Sequence, residues 1–582
     1  MKIFLKLLIV TACCGTVLLN CKKGGGSNNN NNNNNGNSSY DSTYNPTDAA
    51  VVSTQGFFLD DWTAKSFTVP NYTITAPITG PATDTVKIDA NVVVTKISKY
   101  LFGANANLWM GQVVTQSTLM KYITDLSPNV IRGPGGSTSD IYFWNASSKP
   151  GDVPDSLLDA NSTAALGGYW YGQNTASWTM NIDNYYALLS QTNSVGMQTV
   201  NYGYARYGTS ANPVAAAAHL AADWVRYDKG RTKFWEIGNE NFGNWEAGYI
   251  IDVTKNKDGQ PKTMAGSLYG QHFLIFADSM RKAAQSIGVS IKIGAQLLDA
   301  PVTYSNQISD WNQKVLAAIG NNADFFIVHD YYTAYQTNAA AAEILGDAIS
   351  VTASSKNYIA SAVQSAGVTS KPIAMTEFNI TSQGSQQQTS FINGMTGVLT
   401  VGELIKNQFG QASRWDLANG YSSGNDMGMF ANSAGSDVGS GETNWNPRAV
   451  FYTMYYFQKF LGDRLISSAS STSDIVAYSS TFASSNNITT VLVNKGTTDR
   501  VVAVSINHFP MGSKYYWYVL KGGSDNGEFS PKVYVNENTT TGTIGGPSNY
   551  ATIAANAAMR SGNVINVKVP ARSIIYLAVD KK

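Results

Sequence analysis

The sequence predicts an α/β fold, a (β/α)8 TIM barrel followed by a C-terminal antiparallel β-sandwich. Between residues 90 and 456, apolar strand-like segments alternate with amphipathic helical stretches, which is typical of repeated βα units around a parallel sheet. From residue 457 to 582 the pattern changes to short alternating strands separated by turn residues, which is typical of a sandwich. The 582 residues are enough for several domains.

Eight strand-like segments support the barrel, and helical stretches such as 215–226 and 270–285 separate several of them. The predicted strands are 99–105, 129–133, 198–203, 234–240, 291–295, 325–329, 373–377 and 414–417. In a barrel of this kind the active site lies where the carboxyl ends of the strands converge.

The predicted sandwich contains six strands after the barrel, and strands within residues 56–89, such as 65–69, are candidates to join it. The six are 475–478, 489–493, 501–504, 515–520, 564–567 and 573–577. Their sequence leaves open whether the sandwich binds a ligand or serves as a packing partner of the barrel.

The first 21 residues are typical of a secretory signal. An apolar stretch follows Met1-Lys2, and the segment contains all three cysteines, Cys13, Cys14 and Cys21. Leu18-Leu19-Asn20-Cys21 resembles a bacterial lipoprotein signal, in which the cysteine becomes the lipidated amino terminus. Cleavage before Cys13 and ordinary signal cleavage are the alternatives. Cleavage before Cys21 would leave no second cysteine for a disulfide.

Residues 22–55 are rich in Gly, Asn and Ser, with an unbroken asparagine run at 28–35, and are expected to form a disordered tether. The protein is therefore expected to be exported and lipid-anchored to a bacterial membrane, at the outer membrane or cell surface. The lipid would be its only membrane contact.

Composition argues against several classes of partner. The chain has 40 basic and 39 acidic residues, a net charge of +1, and so no electrostatic footprint for nucleic acid. Its four histidines have no paired spacing suited to zinc, and no Gly-x-Ser-x-Gly elbow or phosphate-cradling glycine loop competes convincingly as a catalytic motif. We expect neither metal nor cofactor, and the sequence leaves the oligomeric state open.

Two glutamates follow apolar strand-like runs. Glu240 ends the fourth predicted strand and Glu377 the seventh. Hydrolysis of a glycosidic bond by a retaining route needs one carboxylic acid and one nucleophilic carboxylate. Glu240 is assigned as acid/base, which calls for a raised pKa, and Glu377 as the nucleophile, which must stay ionised. Glu236 is expected deeper in the barrel and Glu246 in a solvated loop.

These segments resemble a known family. Trp235 to Glu240 together with Thr376-Glu377 resemble the acid/base and nucleophile signatures of glycoside hydrolase clan A, the retaining (β/α)8 hydrolases. The resemblance is greatest to the α-L-arabinofuranosidase-like branch, which carries a β-sandwich, and it covers residues 90–582 in architecture.

The resemblance implies roles for four further residues. Arg132, in Arg132-Gly133-Pro134-Gly135-Gly136, would support the nucleophile, Asn239 would bind a sugar 2-hydroxyl, and His329 and Tyr331 would orient the nucleophile. Each also has a structural reading: Arg132 could balance a buried carboxylate, and His329 and Tyr331 could be core residues.

The first strand departs from the arabinofuranosidase pattern, which has a glutamate after the Phe-Gly pair. Here Ala104 to Trp109 follow, without a carboxylate. Glucan, xylan, galactan and algal polysaccharide therefore all stay open as substrates. Two or three of six aromatic residues are expected to stack on sugar rings, with Trp415 assigned to substrate binding; the six are Trp109, Trp144, Tyr204, Trp245, Trp415 and Trp445.

Taken together, these features predict a retaining glycoside hydrolase that degrades a polysaccharide or oligosaccharide by double displacement. The alternative is a catalytically silent surface lipoprotein that binds carbohydrate without turnover, because a hydrolase scaffold alone does not establish activity.

Overall fold

The computed structural model describes residues 40–420, 427–432 and 442–582. The predicted signal segment, Cys21 and the part of the predicted tether before residue 40 lie outside these ranges. Within the described ranges, no helix combines the length and the apolar character needed to cross a membrane.

Eight parallel strands close into a barrel in chain order, each pairing with the next and the last with the first. They are Gly103–Asn105, Val130–Gly133, Val195–Val200, Thr232–Ile237, Lys292–Gln296, Phe325–Tyr331, Ile373–Asn379 and Gln411–Arg414. The predicted barrel is confirmed, and each predicted strand overlaps an observed one.

Helices follow the strands and cover the barrel. Their bounds are Ser117–Leu126, Ile182–Thr192, Gly203–Tyr207, Pro213–Asp228, Gly266–Ser286, Trp311–Ile319, Ala341–Ser365, Phe391–Lys406 and Ala449–Phe460. Local sequence explains where they begin: the Asn212 side chain accepts a hydrogen bond from the Ala215 amide, and Pro213 occupies the first turn.

Several predicted strand bounds need correction. Residues 99–101 form a short 3-10 helix ahead of the first strand, and the fourth strand ends at Ile237. Gly238, with φ of 70°, turns the chain there, and a Cβ at this position would lie 2.1 Å from Asn241 Oδ1. Glu240 therefore lies in a turn beyond the strand, whereas Glu377 lies inside the seventh strand.

The second layer is a curled, mostly antiparallel sheet of eleven strands, which corresponds to the predicted sandwich. Its strands are Tyr72–Ile74, Asp84–Lys96, Arg464–Ser470, Ile475–Phe482, Asn487–Asn494, Arg500–Asn507, Met511–Lys521, Tyr534–Val535, Ala555–Met559, Val564–Val569 and Ser573–Lys581. Each of the six predicted strands lies within one of these.

The amino-terminal part of the sheet differs from expectation. Residues 65–69 form no strand; Tyr72–Ile74 and Asp84–Lys96 join the sheet instead. The latter pairs in parallel with Arg500–Asn507, so the expected boundary at residue 90 falls inside a sheet strand.

Residues 41–55 were expected in the tether, but they lie against the folded chain. Asp48 forms ion pairs with Lys96 at 3.0 Å and with Arg464 at 2.5 Å, and the Gln55 side chain is buried. Polar contacts to distant strands hold this segment, and such contacts leave no apolar pattern in the sequence.

The helix Ala449–Phe460 joins the barrel to the sheet. Its Tyr456 ring lies 4.7 Å from the ring of Tyr518, and the Tyr456 hydroxyl donates to the Tyr550 carbonyl at 2.7 Å. The Tyr576 hydroxyl donates to the carbonyl of Thr453 at 2.6 Å. The sheet thereby covers an aromatic helix face that the barrel alone would leave in water.

Candidate active site

Arg132, on the second barrel strand, is fully buried and is the hub of the site. Its Nε donates to Glu236 Oε2 at 2.7 Å, and Nη1 donates to Glu377 Oε1 at 2.8 Å and to Asn105 Oδ1 at 2.9 Å. Its Nη2 donates to Asn239 Oδ1 at 2.9 Å. Burial alone would lower the pKa of Arg132, but the two carboxylates outweigh it and raise that pKa.

Glu377 receives two strong donors. Arg132 donates to Oε1, and the Tyr331 hydroxyl donates to Oε2 at 2.8 Å. Burial and the charges of Glu377 and Glu240 raise the pKa of Tyr331 well above its ordinary value, so the phenol keeps its proton and donates. The two donors therefore hold both carboxyl oxygens of Glu377 in place.

Glu240 lies on the turn after the fourth strand, with a φ of 41° that non-glycine residues adopt infrequently. Its Oε1 lies 2.8 Å from His329 Nδ1, and its Oε2 accepts from Trp245 Nε1 at 2.9 Å. The turn thus presents the carboxyl between two ring nitrogens.

The Glu240–His329 pair sets where the proton rests. Burial raises the pKa of Glu240, but the hydrogen bond and charge of His329, with smaller effects of Trp245 and Arg132, bring it below its ordinary value. Burial lowers the pKa of His329, whereas Glu377 and Glu240 raise it above 6.5. The resting site therefore holds its proton on His329, one hydrogen bond away from the carboxyl that was expected to carry it.

The carboxyl groups of Glu240 and Glu377 lie close together. One oxygen of each and one ring nitrogen of His329 all lie within 4.8 Å of one another. Carboxyl groups about 5 Å apart are characteristic of the retaining route, whereas the inverting route needs a wider gap for a water molecule.

The same three groups could each offer a ligand atom to a metal ion, but their bonding does not fit one. His329 Nδ1 and Glu240 Oε1 already face each other, and the Arg132 guanidinium lies 2.8 Å from Glu377 Oε1. A cation here would break these bonds and lie beside a buried positive charge.

No family model matches the chain, and no curated protein matches it. Solved structures do. The α-L-arabinofuranosidase of Thermotoga maritima, solved with arabinose, superposes with a TM-score of 0.58 at 15% identity, covering 85% of this chain and 100% of that one. The chain therefore shares the fold of this arabinofuranosidase, a (β/α)8 barrel with a β-sandwich.

Two further structures support this result. The family 51 α-L-arabinofuranosidase AbfB of Bifidobacterium longum has a TM-score of 0.60 at 15% identity, and the family 44 xyloglucanase of Paenibacillus polymyxa has 0.54 at 13%. Each match covers 86% of this chain and 100% of the other. The predicted resemblance to the arabinofuranosidase-like branch of clan A is thus confirmed at the level of the fold.

The structure brings Arg132, Asn239, His329 and Tyr331 together around the two glutamates, with one difference in orientation. His329 Nδ1 is 2.8 Å from Glu240 but 3.7 Å from Glu377, and its Nε2 lies 2.9 Å from Thr376 Oγ1. His329 therefore contacts the expected acid/base more closely than the nucleophile that it was expected to orient.

Trp415 is half-buried at the barrel mouth. Cβ atoms added to Gly135 and Gly136 would lie 2.8 and 2.5 Å from its ring, so these glycines make room for the indole. Trp109 contacts it edge-on at 6.2 Å. Of the other expected sugar platforms, Trp245 is 42% exposed, whereas Trp144, Tyr204 and Trp445 are buried.

The sequence did not predict that Asp140 and Glu246 are buried at the site. Asp140 is fully buried and accepts hydrogen bonds from the backbone N–H of Asn239 and from Asn241 Nδ2. Burial raises its pKa to about 7. Glu246, expected in solvent, is 3% exposed and accepts from Asn239 Nδ2. Asp140 lies in the short 3-10 helix Gly136–Ile141 and Glu246 in the irregular segment after the fourth strand, and neither segment has a periodicity that indicates which way a side chain points.

Proposed function

We propose that the protein is a retaining glycoside hydrolase that cleaves glycosidic bonds of a polysaccharide or oligosaccharide by double displacement. The observation that carries the proposal is the convergence of Glu240 and Glu377 within 4.8 Å. Arg132 and Tyr331 donate to one carboxylate, and His329 is paired with the other.

In the first step a Glu377 oxygen forms a bond to the anomeric carbon as the glycosidic C–O bond breaks. The electron pair of the broken bond stays on the leaving oxygen, which takes the proton of Glu240. Glu240 receives that proton from His329 Nδ1 across their 2.8 Å contact. The bound sugar displaces water from the pair, and loss of solvation favours neutral His329 with protonated Glu240 over the ion pair.

In the second step the Glu240 carboxylate takes a proton from water, and the water oxygen bonds to the anomeric carbon as the bond to Glu377 breaks. Net configuration is retained. Arg132 and Tyr331 again donate to the departing Glu377 carboxylate.

Exposed aromatic side chains at the barrel mouth favour a substrate with several sugar units. Trp178, Trp245, Tyr304 and Tyr335 are 58%, 42%, 62% and 68% exposed and lie in loops after the second, fourth, fifth and sixth strands. Aromatic faces of this kind stack on apolar sugar faces. Arabinofuranosides and xyloglucan, named for the structural neighbours, are the first substrates to test.

The test is a screen of purified full-length protein against aryl glycosides and polysaccharides. Sugar release by the wild type that is lost in Glu377→Ala supports the proposal, and comparable activity of the two removes Glu377 as the nucleophile. Glu343→Gln, on the exposed face of the helix Ala341–Ser365, is the matched control. Binding without release across the panel would favour the silent carbohydrate-binding lipoprotein.

We also propose export and lipid anchoring at Cys21, on the strength of the signal-like sequence. Cys21→Ser should move the protein from the membrane fraction to the soluble fraction. Cys13→Ser is the matched control, because it lies in the same segment at the alternative cleavage point. Release by Cys13→Ser and not by Cys21→Ser would place the anchor at the earlier cysteine.

A further inference from the structure

The turn after Glu240 folds back on itself. The side chains of the consecutive residues Trp245 and Glu246 form hydrogen bonds with Glu240 and Asn239, where the turn begins. Trp245 Nε1 donates to Glu240 Oε2 at 2.9 Å, and Glu246 Oε1 accepts from Asn239 Nδ2 at 2.9 Å. The Gly243 amide closes the turn on the Glu240 carbonyl at 2.7 Å. Glu246 thus bears on the position of the Asn239–Glu240 pair.

Glu246 is bonded in a way that suits a neutral carboxyl. Its Oε1 accepts from the Ser137 hydroxyl at 2.7 Å and from Asn239, and both donors are uncharged. Its Oε2 is buried and has no hydrogen-bond partner among the described residues. A carboxylate with one bare, buried oxygen is costly, whereas a protonated carboxyl carries no charge to solvate.

The charges around Glu246 act in the same direction. Asp140, in the 3-10 helix after the second strand, and Glu240, on its own turn, are the acidic neighbours. The Arg132 guanidinium bonds Asn239 Oδ1 at 2.9 Å rather than Glu246. Burial first, then Asp140 and Glu240, raise the pKa of Glu246 well above its ordinary value.

We propose that Glu246 is a positioning residue: as a neutral carboxyl, it holds the side-chain amide of Asn239 in a fixed orientation beside the two catalytic glutamates. Arg132 fixes Asn239 Oδ1 and Glu246 fixes one hydrogen of Nδ2, so the other Nδ2 hydrogen is directed by both. This inference rests on the proposed function, since it assigns Asn239 to a bound sugar.

The test compares Glu246→Gln with Glu246→Ala and with a matched buried glutamate. Glutamine keeps the accepting oxygen and supplies an uncharged donor in place of Oε2–H. Glu246→Ala should lower kcat on an aryl glycoside about tenfold or more, as expected for a displaced site residue, and Glu246→Gln should restore most of that loss. Glu236→Gln should not be tolerated in this way, because Glu236 accepts from the charged Arg132 at 2.7 Å.

Melting temperatures at pH 5 and pH 8 give a second readout. Over this range the unfolded chain releases the Glu246 proton while the folded protein retains it, so the wild type should lose stability and Glu246→Gln should lose less. A glutamine variant as inactive as the alanine variant, or as pH-sensitive as the wild type, would overturn the inference. If the wild type cleaves no glycoside, the proposed function fails, and the melting comparison alone decides whether Glu246 is neutral.

Discussion

A single proton shared by Glu240 and His329 determines when this site can act as an acid. The singly protonated pair can pass its proton to Glu240, but the fully deprotonated pair cannot. Because Glu377 and Glu240 raise the pKa of His329 above 6.5, the pair keeps its proton at pH values where an ordinary histidine has lost it. The charge of Glu377, the proposed nucleophile, therefore affects the pH range in which the pair can supply a proton.

The pH dependence of kcat/KM should show this link. We expect activity to persist as pH rises past 6.5 and to fall only as pH passes the raised pKa of the pair. A profile of kcat/KM from pH 4 to 10 measures it, with melting curves at each pH to exclude unfolding. An alkaline fall centred below pH 6.5 would contradict the pairing of Glu240 with His329.

Removing Glu240 should affect substrates according to their leaving groups. Acid catalysis contributes about 10²–10⁴-fold, so Glu240→Ala should lose about that much on alkyl or sugar leaving groups and far less on dinitrophenyl glycosides. Azide should restore turnover of the activated substrates and yield a glycosyl azide of retained configuration. Equal losses on both substrate types would remove Glu240 from the acid/base role.

At the scale of elements, the Arg132 guanidinium joins the first, second, fourth and seventh strands through hydrogen bonds to four side chains. Its removal would leave the buried carboxyl groups of Glu236 and Glu377 without their guanidinium partner. Arg132→Ala should therefore destabilise the protein by about 3–5 kcal/mol in urea unfolding.

Two comparisons make the Arg132 prediction specific. Glu236→Gln should be less harmful in the Arg132→Ala background than in the wild type, because it then removes a charge that has lost its partner. Arg226→Ala, which loses only an exposed pair to Asp223 at 2.7 Å, should cost no more than about 1 kcal/mol. Similar losses for the two arginine variants would contradict the hub role.

The loops at the barrel mouth carry a prediction about polymers. Trp178→Ala and Tyr335→Ala should each raise KM for a polysaccharide about fivefold, which corresponds to about 1 kcal/mol of stacking, and should change KM for an aryl glycoside less. Tyr72→Ala removes an exposed aromatic ring from the sandwich and is the control. Equal effects of all three variants would exclude a binding role for the mouth residues.

The elements that could be predicted from the sequence are those buried on both faces, because their residues are mostly apolar. The strands that carry Arg132 and Glu377 read as apolar runs because both faces are covered. Glu246 and Asp140 could not be placed, because the turn that buries them depends on contacts with other loops. The same holds for residues 41–55, which are ordered by partners such as Lys96 and Arg464.

At the scale of the whole molecule, the barrel and the sheet depend on the same helix. Ala449–Phe460 follows the last barrel strand, yet its Tyr456 and Thr453 bond to the sheet side of the molecule. The predicted boundary between barrel and sandwich, after residue 456, lies inside this helix. This packing makes the C-terminal sheet a structural partner of the barrel.

The shared helix predicts that barrel and sheet unfold together. Tyr456→Ala removes a buried ring and its bond to Tyr550, so it should cost about 3–5 kcal/mol and lower the protection of amides in both layers equally. Hydrogen exchange followed strand by strand measures this, with Tyr72→Ala as the exposed control. If the sheet lost protection while strands such as Ile373–Asn379 kept theirs, the two layers would be separate folding units, and a barrel ending after the helix at Phe460 should then be active alone.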